Sequence, residues 1–164
     1  MAEIQLTRGK VALIDDIDSD LSEFNWCYHY MHSNNCYAER RANHKVVYLH
    51  RVILERMIGH PIESGFVSDH INGDGLDNRR SNLRVITNQQ NQWNKRRNET
   101  PKSSQYKGVS KASGGKWTAR IKFNMRLKHL GTFKTELEAA IAYDKAAISL
   151  YGDFAKPNFQ SSTP

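Results

Sequence analysis

Residues 71–82 read Ile-Asn-Gly-Asp-Gly-Leu-Asp-Asn-Arg-Arg-Ser-Asn, and they restrict the fold of this chain more than any other stretch. Three asparagines, two aspartates and two glycines in twelve residues favour turns and local side-chain to backbone hydrogen bonds over a continued helix or strand. Residues 66–70 and 83–86, on either side, have the length and the Phe, Val, Ile and Leu content of short strands. Thr87 with Gln90 three positions on fits a capping box, which starts a helix at about residue 88. The order is strand, loop, strand, helix.

The first third reads as strands at 4–6, 11–14, 26–30, 36–40 and 46–49, separated by polar turns, which predicts a small antiparallel sheet. Leu49, Val52, Ile53 and Met57 then follow helical spacing up to Gly59 and Pro61. Residues 97–105 are charged and small, contain Pro101 and have no apolar period, as in a linker. Beyond them, Lys116, Thr118, Arg120 and Lys122 alternate with Trp117, Ala119, Ile121 and Phe123, the period of a half-buried strand with one basic face. A turn at 124–125 leads into a strand at 126–133, and Thr135 with Glu138 caps an Ala-rich helix that ends at Gly152. The expectation is an α+β protein: a β-rich region with a helix over 1–60, a ββα core over 61–97, a linker at 98–104, a three-stranded antiparallel sheet on one helix over 105–160 and a tail at 161–164.

Charge separates these parts. Residues 1–60 carry seven cations against eight acids, residues 61–100 six against five, and residues 101–164 eleven against four, so the whole formal charge of +7 sits at the C-terminal end. Residues 102–134 hold nine cations and no acid, which suits a polyanionic partner, nucleic acid first. No apolar run approaches the ~20 residues of a membrane span, and residues 1–10 lack the apolar stretch of a secretory signal. Cys27 and Cys36 form no Cys-x-x-Cys, so two reduced thiols and a cytoplasmic chain are expected, with no membrane partner.

The chemistry concentrates at four residues. Phosphodiester hydrolysis needs a water made nucleophilic and a cation that neutralises charge on the phosphate. Asp69 offers a carboxylate oxygen and Asn91 an amide oxygen, ligands suited to Mg²⁺ or a similar ion such as Mn²⁺ that keeps several waters. His70, on the opposite face of the strand from Asp69, is placed to act as general base. Asn82, between loop and second strand, is suited to tying the loop backbone through its amide. Taken one at a time, these residues equally fit a plain turn-rich hairpin.

Together, Asp69, His70, Asn82 and Asn91, with the surrounding residues 69–87, resemble the HNH (His-Asn-His) nucleases, ββα-metal enzymes, in the subgroup of phage and intron homing endonucleases. The resemblance implies His70 as base, Asn82 as scaffold, and Asp69 and Asn91 as ligands of one divalent ion, with no small-molecule cofactor. Asn91 stands where the family name has its last His, which favours oxygen-loving ions over Zn²⁺. The Leu-His-Arg-Val-Ile run at 49–53 also resembles that subgroup, but it assigns His50 no role.

Residues 104–159 resemble the ethylene-response-factor (Apetala-two type) DNA-binding domain through Tyr106–Val109, Gly115–Ile121, Leu130–Phe133, Glu138–Ala147, Asn158 and Phe159. In that family a three-stranded sheet enters the major groove with a helix behind it. The resemblance implies Lys107, Lys111, Arg120, Lys122 and Arg126 as contacts to double-stranded DNA, mostly to phosphate. Lys116 and Lys128 belong to the same basic run, and Lys95 and Arg96 continue the preceding helix, either along the DNA backbone or as a solvated helix end. Ser110, Ala112, Leu127 and His129 replace cations and aromatics of the plant pattern, leaving fewer groups for bidentate contacts to guanine. The sequence thus points to a DNA endonuclease, with a non-cleaving DNA-binding regulator as the alternative. A monomer with one metal site cuts one strand, and a homodimer cuts both.

Overall fold

Two compact units divide the chain, Met1–Asn88 and Gln89–Pro164. The computed structural model describes residues 1–31, 35–94 and 103–159, the side chain of Asn35 excepted. Lys95, Arg96 and most of the expected linker lie outside the described residues, as does the expected tail.

The first unit is built of short antiparallel pairs because its apolar residues come in runs of four or five between turns. Strands β1 (Ala2–Gln5) and β2 (Val11–Ile14) form a two-stranded ribbon. Strands β3 (Cys27–Met31), β4 (Asn35–Ala42) and β5 (Lys45–Tyr48) form a three-stranded sheet in sequence order. Helix α1 (Leu49–Ile58) follows β5 without a break. It stops where Gly59, at φ 79° in the left-handed region, donates its N–H to the Glu55 carbonyl at 3.0 Å. Strands β6 (Phe66–His70) and β7 (Leu83–Thr87) pair antiparallel with Asp69 opposite Arg84 and His70 opposite Leu83.

The core does not stop at residue 60. Ile4, Ala12, Ile14, Leu21 and Trp26 of the N-terminal region pack with Leu49, Ile53 and Leu54 of α1, and with Leu83 of β7, in one buried cluster. Met57, which the helical spacing places on the apolar face, is instead 40% exposed. A 3-10 segment over Asp16–Glu23, which no local sequence signal marks, turns a buried aspartate inward. Asp18 accepts two hydrogen bonds from Arg80, at 2.7 and 2.9 Å, while the Arg80 backbone N–H donates to Asp15 at 2.7 Å. Strand β2 also clamps the 71–82 loop: Leu13 donates to the Leu76 carbonyl and accepts from the Asn78 N–H, both at 2.8 Å.

The second unit holds most of helix α2 (Asn88–Asn94), strands β8 (Val109–Lys111), β9 (Trp117–Phe123) and β10 (Arg126–Phe133), and helix α3 (Glu136–Tyr151). The sheet order is β10-β9-β8, all antiparallel. Thr135 and Glu138 form the reciprocal cap that starts α3. Alanines 139, 140 and 147 keep the helix close to Val109, Ala119 and Ile121 of the sheet. Gly108, at φ 76°, is required there, since a Cβ would strike the Tyr143 ring and the Arg120 carbonyl. Trp93, near the end of α2, stacks on Tyr151 at 4.8 Å and on Phe123 at 5.6 Å, so this helix is packed into the C-terminal module.

Candidate active site and nucleic-acid interface

At the end of β6, strand alternation sends Asp69 and His70 to opposite faces. Asp69 accepts a 2.9 Å hydrogen bond from Arg84 Nε, its cross-strand neighbour, and the side chains of Asp69 and Arg84 are 11% and 19% exposed. His70 is buried on the other face. Burial pushes its imidazole below the ordinary histidine value, against the opposing pull of the Asn78 hydrogen bond and of Asp69, Asp74 and Asp77.

Asn78 decides which nitrogen of His70 carries the proton. Its Nδ2 donates to the Leu76 carbonyl at 3.0 Å, so its Oδ1 is the atom 3.3 Å from His70 Nε2. Nε2 is therefore the donor, and Nδ1 keeps the lone pair. Asn78 is itself fully buried and held by the β2 clamp. Nothing in the sequence distinguishes this asparagine from the others of the turn-rich run.

The loop is a hydrogen-bonded structure rather than a tether. Asn82 accepts from the Asn72 N–H at 3.0 Å and donates through Nδ2 to Asn72 Oδ1 at 3.1 Å and to the Asp77 carbonyl at 2.7 Å. Asn72 Nδ2 donates to Asp77, and Asp77 accepts from Arg79 Nε and Nη2, both at 2.7 Å. The Arg79 hydrogen bonds hold the Asp77 carboxyl below its usual range.

His50 was the other omission. It lies 8% exposed on the buried stripe of α1, which is the signal that a polar residue at an apolar helix position gives. Its ring is 5.0 Å from that of His70, edge to face. Burial first, then His70 and Arg51, push its pKa down to about 3, so it is neutral at neutral pH. Its Nδ1 is enclosed and meets no hydrogen-bond partner among the described residues, at a cost of about 1–3 kcal/mol.

Asp69 lies in the first unit and Asn91, on α2, in the second. No cluster of three His, Cys, Asp or Glu side chains occurs among the described residues. One carboxylate with one amide oxygen is a donor set that fits a hard ion retaining water ligands, and does not fit a thiolate or imidazole cage.

In the second unit, pairing register sorts the cations by face, because directly opposed residues share a face. Ala119 and Ile121 face α3, so Arg120 and Lys122, both exposed, lie on the open face. Their partners across β10 are His129 and Leu127. Arg126 and Lys128 oppose Phe123 and Ile121, and Lys111 opposes Trp117, which gives these three exposed cations the helix-side parity. A bulge between His129 and Gly131 lets Leu130 and Phe133 both pack towards α3. Lys116 is exposed just before β9. Lys107 is turned inward: its amine donates to the Trp93 carbonyl at 2.9 Å, and burial, with Lys156 nearby, lowers its pKa to about 8. Its backbone N–H donates to Asn158 Oδ1, whose own amide donates to Asp144 at 2.9 Å.

Residues 47–93, which contain His50, Asp69, His70, Asn78, Asn82 and Asn91, match the family model described as HNH endonuclease. The chain is thus similar to HNH endonucleases in its middle and to plant ethylene-responsive-type transcription factors over its C-terminal region. Among relatives, an uncharacterized HNH endonuclease of Acanthamoeba polyphaga mimivirus is 39% identical over 110 residues, covering 67% of this chain and 56% of the relative. An ethylene-responsive transcription factor of Arabidopsis thaliana is 44% identical over 68 residues, 38% of this chain and 43% of the relative. Dehydration-responsive element-binding protein 2D of the same plant is 48% identical over 62 residues, 37% of this chain and 30% of the relative. The chain thus spans about half or less of the curated relatives it matches.

Proposed function

We propose that this protein is a metal-dependent DNA endonuclease of the homing type. The observation that carries the reading is His70: a buried imidazole whose Nε2 is committed to Asn78 and whose Nδ1 lone pair is left to accept a proton. In the proposed reaction Nδ1 takes a proton from water as the water oxygen bonds to phosphorus and the bond from phosphorus to the leaving oxygen breaks. Asn82 and Asn78 keep the loop and the base in register. Asp69 and Asn91 hold one divalent ion, Mg²⁺ or Mn²⁺, an assignment supported by the oxygen donors and by the family segment. When bound, that ion supplies positive charge against the phosphate oxygens. The open face of β9, with Arg120 and Lys122, and the basic C-terminal module hold double-stranded DNA.

The test incubates supercoiled plasmid with the protein in Mg²⁺ or Mn²⁺, with and without chelator, alongside His70→Ala. Nicking or linearisation that needs the metal and is lost in the variant, with binding retained, is the expected result. Absence of cleavage under both ions overturns the reading and leaves a DNA-binding regulator.

A further inference from the structure

One nitrogen of this unit has no evident use. His50 sits among Leu49, Ile53 and Leu54 on the buried stripe of α1, where an aliphatic or phenyl side chain would fill the space with no polar atom to satisfy. Rings surround it instead: Tyr48 stacked at 5.5 Å, Tyr37 tilted at 5.3 Å and His70 edge to face at 5.0 Å. Tyr37 also lies 6.0 Å from His70, and Gly75 of the loop closes on it so tightly that a Cβ there would strike the Tyr37 ring. The four rings and the loop form one packed box.

The Asn78 hydrogen bond fixes the place of His70 Nε2 but leaves the ring free to turn about that bond. An edge-to-face neighbour sets the remaining angle, because aromatic pairs have a preferred geometry at this separation. We infer that His50 is a positioning residue for His70, setting the plane of the base and with it the direction of Nδ1. This rests on the reading of His70 as the base. A phenyl ring at position 50 is larger and differently polarised, so it would remove the unsatisfied nitrogen and still turn the His70 plane; an asparagine amide offers a planar polar edge near the place of Nδ1.

The test compares wild type, His50→Phe and His50→Asn by melting temperature, DNA affinity and single-turnover cleavage. The expected result is His50→Phe melting at or above the wild-type temperature, with affinity within twofold and cleavage at least tenfold slower, and His50→Asn recovering part of the rate. Cleavage by His50→Phe within twofold of wild type overturns the inference, as does a parallel fall in melting temperature and rate in both variants, which marks a structural role. Nitrogen-15 spectra of the His70 side chain, recorded without DNA, give an arm that does not depend on cleavage. Wild type should show the Nε2-protonated tautomer, and His50→Phe the same tautomer with shifted His70 ring resonances, because Asn78 still holds Nε2 while the ring plane has turned; an unchanged His70 spectrum overturns the inference. If wild type itself fails to cleave, the nuclease reading falls and the spectra alone decide the positioning role.

Discussion

At the residue scale, the site depends on how neutral histidines are kept neutral and oriented. In the proposed reaction Asn78 is the partner that fixes the tautomer of His70, and its removal should be felt in rate rather than in binding. Asn78→Ala is expected to slow cleavage by roughly 10- to 100-fold with DNA affinity retained, short of the ~10²–10⁴ that general-base catalysis supplies in all; matched single-turnover and binding measurements check this. His50 also leaves a signature in stability. Its folded pKa of about 3 lies below the ordinary 6.5, so between those values the unfolded chain binds a proton that the folded chain does not. Stability fully present above pH 6.5 is therefore lost as pH falls towards 3, and melting temperature should drop across that window. The drop should be shallower in His50→Phe, which has no proton to gain at that position.

At the element scale, the decisive pieces are the loop between β6 and β7 and the sheet that carries the basic residues. Arg80 anchors the loop to a buried carboxylate, and among the described residues Arg80→Ala leaves Asp18 with only the longer 3.5 Å contact to Arg56. Since Arg80 is itself 30% exposed, the expected loss is about 2–3 kcal/mol, below the range for a wholly buried pair, read from denaturant unfolding of the full chain. Gly108→Ala should cost roughly 1–3 kcal/mol in the C-terminal unit, because the Tyr143 ring and the Arg120 backbone occupy the place of its Cβ. The positions of the β6 and β7 strands and the cap of α3 were legible in the sequence, because period two and a capping box are local signals. The β10 bulge was not legible: nothing local tells that Leu130 and Phe133 will share a face.

At the scale of the whole molecule, charge is divided by task. The acids that bring residues 1–60 to a net −1 include Asp15 and Asp18, which hold Arg80 of the 71–82 loop, and Asp20, which pairs with Arg56 at 2.7 Å. The excess of cations lies in the C-terminal segment, and two of them, Arg120 and Lys122, project from the open face of β9. Replacing both by alanine should weaken DNA binding and reduce the slope of log K against log salt by about 1.8, if each neutralises one phosphate. Lys107→Ala should leave that slope unchanged and lower stability instead, because its amine is bonded to the Trp93 carbonyl. Deleting residues 101–164 is a poor test of DNA binding alone, since it strips α2 of Phe123 and Tyr151, the rings that hold Trp93.

The sequence by itself determined the element order, the two faces of β6 and β9, and the residue types a hydrolytic site needs at 69, 70, 82 and 91. These follow from periodicity, capping and donor chemistry, all of which act over a few residues. Tertiary structure alone decided what those residues touch. Strand β2 reaches across more than sixty residues of chain to fix Asn78, and helix α1 brings His50 against His70. It also turns Lys107 inward. These are packing outcomes: they depend on which buried surfaces meet, and a one-dimensional pattern carries burial but not the identity of the partner.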